Sequence, residues 1–402
     1  MQHDLDILIV GGGLVGCSLA AALDGSGLRV GLVEAARPGT ASPPSFDERN
    51  LALARATVQA LTALDVWSRL GEPAESIRSV HVSSRGDFGS LRLDAADHDL
   101  DAFGAVLPAR ALGEALQARV AAIDGLLHLA PGRLSAALAV GDGVEVRIAT
   151  DAGERLLRTR LLVGADGTAS SVRDMAGIGT AEHDYAQTLF VSNLVAERTH
   201  GGCAFERFTE DGPVAVLPLP GGRLGSIWTV PADGADAVAA LDDPAFRDAL
   251  QARLGWRLGR LRRVGVRHPY RVVRVLAERL VGARTVLVGN AAQTLHPVAA
   301  QGFNLGLRDA ATLAEMLRTA ADPGSPDLLA AYAARRREDR EQTIAFSHGL
   351  IGLFADLPAP LRTLRSLGFA ALNLLPPLRD RLALAAMGYR GATPGLLRGI
   401  RP

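Results

Sequence analysis

The chain has 402 residues, 48% hydrophobic and 21% charged, enough apolar mass for a large packed core and too much for a disordered segment. Its 43 basic residues balance 43 acidic ones, so no net field favours nucleic acid. None of the basic residues is lysine, which excludes Schiff-base and P-loop-lysine chemistry. Two cysteines, Cys17 and Cys203, are too few for a disulfide framework and fit a reducing cytoplasm as small, buried, apolar groups.

The amino end carries Asp4 and Asp6 and lacks the basic region of a signal peptide. No apolar run reaches the roughly 18 residues of a membrane span, so the expected location is cytoplasmic. Residues Asp4 to Val10 read as a strand ended by Gly11-Gly12-Gly13. Small apolar residues then run as a helix to a stop at Gly25 and Gly27, and Leu28 to Glu34 returns to strand. A helix is predicted over 50–70, strands over 76–94 and a helix over 108–123. A β-meander is predicted over 134–163, turning at 141–143 and 151–153. Strands are predicted over 186–230, with a hairpin at Gly221-Gly222. Further along come a helix over 235–256, a strand over 264–276, a short strand at Val286–Val288 and helices over most of 304–350. Residues 335–340 (RRREDR) mix both signs and read as a solvated helix face.

From 341 onward, seven arginines stand against three acids and flank the apolar stretches Leu350–Leu357 and Leu364–Leu378. That pattern suits a helical cap over the core. It also suits a helix pair lying on an anionic membrane surface or on a partner. The predicted fold class is α/β in two domains. A discontinuous dinucleotide-binding domain (1–75, 100–180 and 275–340) starts from the βαβ unit. A β-sheet substrate domain (76–99 and 181–274) is inserted into it, and a helical region (341–402) follows.

Three motifs carry chemistry. The first is Gly11-x-Gly13-x-x-Gly16, with Leu14 and Val15 between, placed after a strand and opening a helix. The glycines give a tight turn, close approach of backbone to a pyrophosphate, and close helix–strand packing, while the helix amides hold the diphosphate. Glu34 ends the second strand, where a carboxylate bonds ribose hydroxyls and disfavours a 2′-phosphate, so FAD or NAD fits better than NADP. The second motif is Gly164-Ala165-Asp166-Gly167-x-x-Ser170-x-Val172-Arg173. There Asp166 reads either as a ligand to a sugar or diphosphate-linked chain or as an ordinary helix cap. The third runs from Gly289-Asn290 through His296-Pro297 and Gln301-Gly302 to Asp309. A helix starting near 304 would turn its amino end toward the negative edge of a reduced flavin. His296 is assigned a structural role, because nothing in the sequence supplies it an orienting partner.

Together these motifs resemble the flavoprotein aromatic hydroxylases of the para-hydroxybenzoate hydroxylase fold, and most closely the ring hydroxylases of ubiquinone biosynthesis. Phe46-Asp47-Glu48-Arg49, Pro108-x-Arg110-x-Leu112 and Gly222-Arg223 with Trp228 extend the likeness, which spans roughly residues 4 to 390. Asn290 and Gln293 resemble the 2-polyprenyl-6-methoxyphenol hydroxylases within that group. The resemblance implies FAD as cofactor and NAD(P)H and O₂ as cosubstrates. It implies hydroxylation of the ring of a polyprenylated phenol through a flavin C4a-hydroperoxide. Arg49 and Arg110 would contact the FAD, Asp166 and Gly167 its diphosphate–ribityl region, and Asn290 the ribityl chain. Gln301, Gly302, Phe303, Asn304 and Leu305 would border the isoalloxazine, with Pro297, Gln301 and Gly302 in the loop where reaction occurs. No acid or base is assigned, and no metal site is expected. The family usually reads Ala-Gly-Gln-Gly where this chain reads Ala299-Ala300-Gln301-Gly302, so a methyl group at 300 would either crowd the flavin or shift its in/out swing. Peripheral association with the inner membrane and with other quinone-biosynthesis proteins is implied. Two alternatives stay open: a flavoprotein reductase of prenyl-type substrates, and a non-catalytic flavin-binding subunit. A halogenase is disfavoured by the lack of lysine.

Overall fold

Strand β1 (Leu5–Val10) is apolar at nearly every position and buried on both faces, as a central parallel strand must be. It pairs in parallel with β2 (Val30–Val33) through Ile7↔Val30 and with the strand Gly153–Gly164 through Leu5↔Thr159. Leu127–Leu129 extends this sheet beyond β2, and Thr285–Leu287 extends it beyond Gly153–Gly164, both in parallel. The antiparallel strands Gly132–Val140 and Gly143–Thr150 form the expected meander with Gly153–Gly164. Helix α1 (Leu14–Leu23) covers the sheet with small side chains such as Ala20, Ala21 and Ala22, all buried. Because β1 leads to β2 on one side and lies beside a much later strand on the other, the crevice at its carboxyl end is a topological switch point, where ligands bind in such sheets.

The computed structural model describes residues 3–37, 49–297, 301–354, 363, 366–369, 371–372, 375–389 and 391–401. The expectations for Phe46-Asp47-Glu48, for the methyl group of Ala300 and for much of the two carboxyl-terminal apolar stretches lie outside the described residues.

A second sheet runs in the order 293–294, 268–277, 180–196, 224–231, 212–218, 203–209, 79–84 and 90–94, with 261–264 attached to 180–196. Helix Asp243–Leu254, capped by the Asp242 carboxylate accepting from Ala245 N at 2.8 Å, packs Phe246 and Leu250 against Phe190 and Trp228 on one face. The other face turns toward the dinucleotide-binding half. There Phe103, Phe208, Phe369, Ala383 and Met387 join Leu91 and Leu93 in a smaller apolar cluster, so helix Pro376–Ala386 caps this region.

Two local expectations change. Residues 50–54 are strand, not helix: Asn50–Ala54 pairs antiparallel with Gly104–Pro108, and the helix is Arg55–Ala63. Leu-Ala-Leu-Ala is a good helix former, but its tertiary pairing partner outweighs that weak preference. Residues 335–340 are not a solvated face throughout. Arg336 and Asp339 are buried, and Arg336 Nε donates to Asp309 Oδ1 at 2.7 Å while Arg336 and Arg308 both pair with Asp339. Opposite charges supplied by helix Gln301–Leu317 make that burial tolerable.

Candidate active site

Two cavities meet between the sheets. The larger, about 700 Å³, follows the carboxyl end of β1 and the amino end of α1. Gly11, Gly13, Leu14, Val15 and Glu34 line it on one side; Arg49, Asp166, Gly167, Asn290, Gly302 and Phe303 complete the walls. Gly11 sits at φ +107°, and a Cβ there would lie 2.4 Å from the Ala165 carbonyl oxygen. Gly16 is not in the wall but in the packing behind it, where a Cβ would lie 1.9 Å from the Gly11 oxygen. No side chain caps α1, so its first amides face the groove, as anion-binding helix ends do. The Glu34 carboxylate is held rigidly, accepting from Gly12 N and Ala36 N, each at 2.7 Å. A groove of this size, with room only for glycine at its turn, uncapped helix amides and a fixed carboxylate at the far strand end, fits an FAD molecule.

The other predicted residues fall in different places. The Arg49 guanidinium stands over the Tyr270 ring, 5.2 Å from its centre. Asp166 both lines the groove and braces the start of the short helix Ser171–Met175, whose N-cap is Ser170, accepting from Ser171 Oγ at 2.9 Å and Val172 N at 3.1 Å. Arg110 is not among the wall residues; it pairs with Glu72 at 2.5 Å and Glu114 at 3.1 Å. Leu305 is fully buried core. Asn304 ties Gln301–Leu317 to Asn50–Ala54: Oδ1 accepts from Ala54 N at 2.9 Å, and Nδ2 donates to Ala52 O at 3.0 Å. Gln293, read from its family likeness, is a buried strut between Asp309 (2.6 Å) and Arg340 (3.0 Å).

The second cavity, about 390 Å³, is walled largely by apolar side chains from six of the nine strands of the second sheet and by Phe103, Phe369 and Leu382. Gln301 and Asn304 face it rather than the larger groove. It shares Ala52, Leu189, Leu217, Ile227 and Pro297 with that groove, so Pro297 stands at the junction.

Sequence reasoning missed His296 as a cavity residue. Its ring is buried, Nε2 lies 3.2 Å from Gln187 Oε1, and Tyr185 packs edge-on at 5.1 Å. Burial pushes its pKa down to about 4, so the imidazole is neutral at pH 7. Its partner Gln187 lies 109 residues earlier, a distance no local pattern bridges. Glu206 was missed as well, although Ala204, Glu206 and Phe208 alternate onto one face of their strand.

The model of the FAD binding domain family matches residues 4–347. A ubiquinone hydroxylase of Rhodospirillum rubrum is 39% identical over 98% of this chain and 93% of its own length. The 3-demethoxyubiquinol 3-hydroxylase of Escherichia coli is 31% identical over 95% of this chain and 98% of its own. The crystal structure of p-nitrophenol 4-monooxygenase from Pseudomonas putida superposes with a TM-score of 0.79 at 19% identity, covering 98% of this chain and all of that one. The fold is thus that of the para-hydroxybenzoate hydroxylases, and the chain belongs to the FAD binding domain family, among the FAD-dependent aromatic hydroxylases of ubiquinone biosynthesis.

Proposed function

We propose that the chain hydroxylates the aromatic ring of a polyprenylated phenol, with FAD in the larger groove and the ring in the smaller cavity. The observation that carries this reading is the shared wall: an apolar cavity opens onto the groove at Pro297, Leu189, Leu217 and Ile227. Bound FAD, once reduced by NAD(P)H and met by O₂, supplies an electrophilic oxygen atom. The protein's share is placement and exclusion. Gly11, Gly13 and the first amides of α1 hold the diphosphate; Glu34 takes the ribose hydroxyls; Arg49, Asp166 and Asn290 keep the remainder in register. The apolar walls keep water from the reacting atoms.

The division into a discontinuous FAD-binding domain, an inserted substrate sheet and a carboxyl-terminal helical region belongs to the same proposal. No helix among the described residues is long and apolar enough to cross a membrane. The basic, apolar carboxyl-terminal region suits peripheral contact with the membrane that stores the lipid substrate, and contact with neighbouring enzymes of the pathway.

The test is single-turnover reaction of the reduced holoenzyme with ¹⁸O₂ and a phenol carrying a short prenyl tail. The expected result is one labelled oxygen atom on the ring. Flavin reoxidation without oxygen insertion, or reduction of the prenyl chain, would defeat the proposal.

A further inference from the structure

Within the substrate cavity, and resting on the hydroxylase reading, we propose that Glu206 is the group that binds the ring hydroxyl of the substrate and accepts its proton as oxygen is transferred. Glu206 lies on the strand Cys203–Thr209 and lines the cavity. It is the one carboxyl among the described lining residues, and no arginine stands there to neutralise it. On the sheet it sits opposite Val82 on one neighbour and Ala215 on the other. Ala215 in turn pairs with Ile227, which belongs to the wall shared with the flavin groove. Glu206 is therefore two strand spacings, about 10 Å, from that wall. An aromatic ring fits between them, with its hydroxyl at the carboxyl end and a reacting carbon at the flavin end.

The sheet neighbours of this carboxyl are apolar. Val82 and Ala215 flank it, and Phe369, Leu372 and Leu382 line the opposite wall. The other titratable lining residue is the neutral His296. His81, Arg92 and Arg207 alternate onto the reverse face of the sheet. Burial accordingly pushes the Glu206 carboxyl up to about 7, close to the working pH of a general base. Glu206 is partly buried at the cavity wall; an ionised carboxyl facing an apolar space is costly, and a substrate hydroxyl is a partner that would offset that cost. The same lining disfavours a ring that carries its own carboxylate, because two like charges would share an apolar space. The class selected is a neutral phenol.

The proton balance closes. When the ring carbon bonds the incoming oxygen atom, the phenolic O–H bond breaks, its electron pair forms a ring carbonyl, and its proton passes to the Glu206 carboxylate. The ring carbon then loses its own hydrogen as a proton to water, and the carbonyl oxygen recovers the proton from Glu206 as aromaticity returns. One atom of O₂ enters the ring; as the O–O bond breaks, the other is reduced by the two electrons of reduced FAD and leaves as water, a balance the hydroxylase activity supplies.

The test uses the FAD-loaded protein and its Glu206→Gln and Glu206→Leu variants, with flavin content confirming the fold of each. Affinity is read from the change in flavin absorbance on adding a short-tailed 2-methoxyphenol, its O-methyl ether and the matching ring carboxylic acid. In the wild type, masking the hydroxyl as the ether is expected to weaken binding about tenfold or more, the range of a hydrogen bond to a charged group. In Glu206→Leu, phenol and ether should bind alike, and the ring acid should gain relative to the phenol. The acid limb of kcat/KM, centred near pH 7 in the wild type, should vanish in Glu206→Gln. A Glu206→Leu protein that still prefers phenol over ether as the wild type does overturns the assignment, as does a Glu206→Gln protein with the wild-type pH profile. A wild type that binds phenol but inserts no oxygen strikes the hydroxylase reading instead, and leaves the binding comparison to judge Glu206 by itself.

Discussion

Gly11→Ala is the sharpest probe of the cofactor groove. At φ +107° any side chain is strained, at about 1–2 kcal/mol. The new methyl carbon would also lie 2.4 Å from the Ala165 oxygen and 2.7 Å from the Asp166 nitrogen. Both are backbone atoms, so no side chain can swing aside, and overpacking of this kind adds about 1–3 kcal/mol. The turn that has to move carries Asp166 and Gly167, which form the groove wall. The combined penalty of about 2–5 kcal/mol therefore falls largely on FAD, and at 1.4 kcal/mol per factor of ten it weakens binding about 30-fold or more. The assay is titration of the flavin-free protein with FAD, with the 450 nm to 280 nm absorbance ratio of material as purified. Gly27→Ala is the control. Its φ is +78° with nothing within 4 Å of the added carbon, so it carries the backbone strain without the clash and should keep its flavin. A yellow, fully loaded Gly11→Ala protein with wild-type affinity would refute the assignment of this turn to the diphosphate.

Two further outcomes concern stability. Burial holds the His296 pKa at about 4 against 6.5 in the unfolded chain. The unfolded form therefore takes up a proton between those values that the native form refuses. The stabilisation is complete above pH 6.5 and declines as pH falls through the window, reaching about 3 kcal/mol lost at pH 4. Urea midpoints at pH 7 and pH 4.5 should show the loss, and His296→Gln should flatten it; an unchanged slope in the variant would count against the buried neutral imidazole. Asp309 accepts from Arg336 at 2.7 Å and from Gln293 at 2.6 Å in the core. Asp309→Ala leaves the buried Arg308 and Arg336 sharing the single carboxylate of Asp339 and should cost about 3–5 kcal/mol, read from the urea midpoint at pH 7; a variant as stable as the wild type would show the network to be dispensable.

The cofactor side of the molecule was legible in the sequence because its parts are contiguous. Gly11, Gly13 and Gly16 sit within six residues, each with a steric reason visible in the motif, and Glu34 lies one crossover away at the end of β2. A strand, a tight turn and a helix amino end from one βαβ unit supply the motif-bearing part of that groove, while the rest of its wall comes from residues 49–52, 132–134, 165–171, 270–273, 290–297 and 302–303 among others. Where the reading slipped, the deciding partner lay far off. Asn50–Ala54 is helix-forming by composition and becomes strand only because Gly104–Pro108 pairs with it. The mixed charges at 335–340 look solvated until Asp309 arrives from another helix to meet Arg336. Arg110 pairs with Glu114 one helical turn on, which spacing does show, and with Glu72, which it does not.

The substrate side hides for the opposite reason. Its cavity takes one to four residues from each of several strands far apart in the chain, so no single stretch resembles a site. Alternation along Cys203–Thr209 does put Ala204, Glu206 and Phe208 on one face. In a lone strand, a carboxylate between two apolar residues reads as well for an exposed edge as for an interior. What separates the two is which strands lie beside it. Here they present Val82 and Ala215, so the carboxyl has apolar neighbours on both flanks and a cavity ahead. A polar residue in phase with the core face of a central strand is thus a sharper pointer to substrate chemistry than any motif, but only once the strand order is known. That order depends on a parallel contact between residues more than 120 positions apart, Cys203 against Ser79. Local pattern therefore marks the candidate cofactor groove, and long-range register marks the apolar cavity beside it.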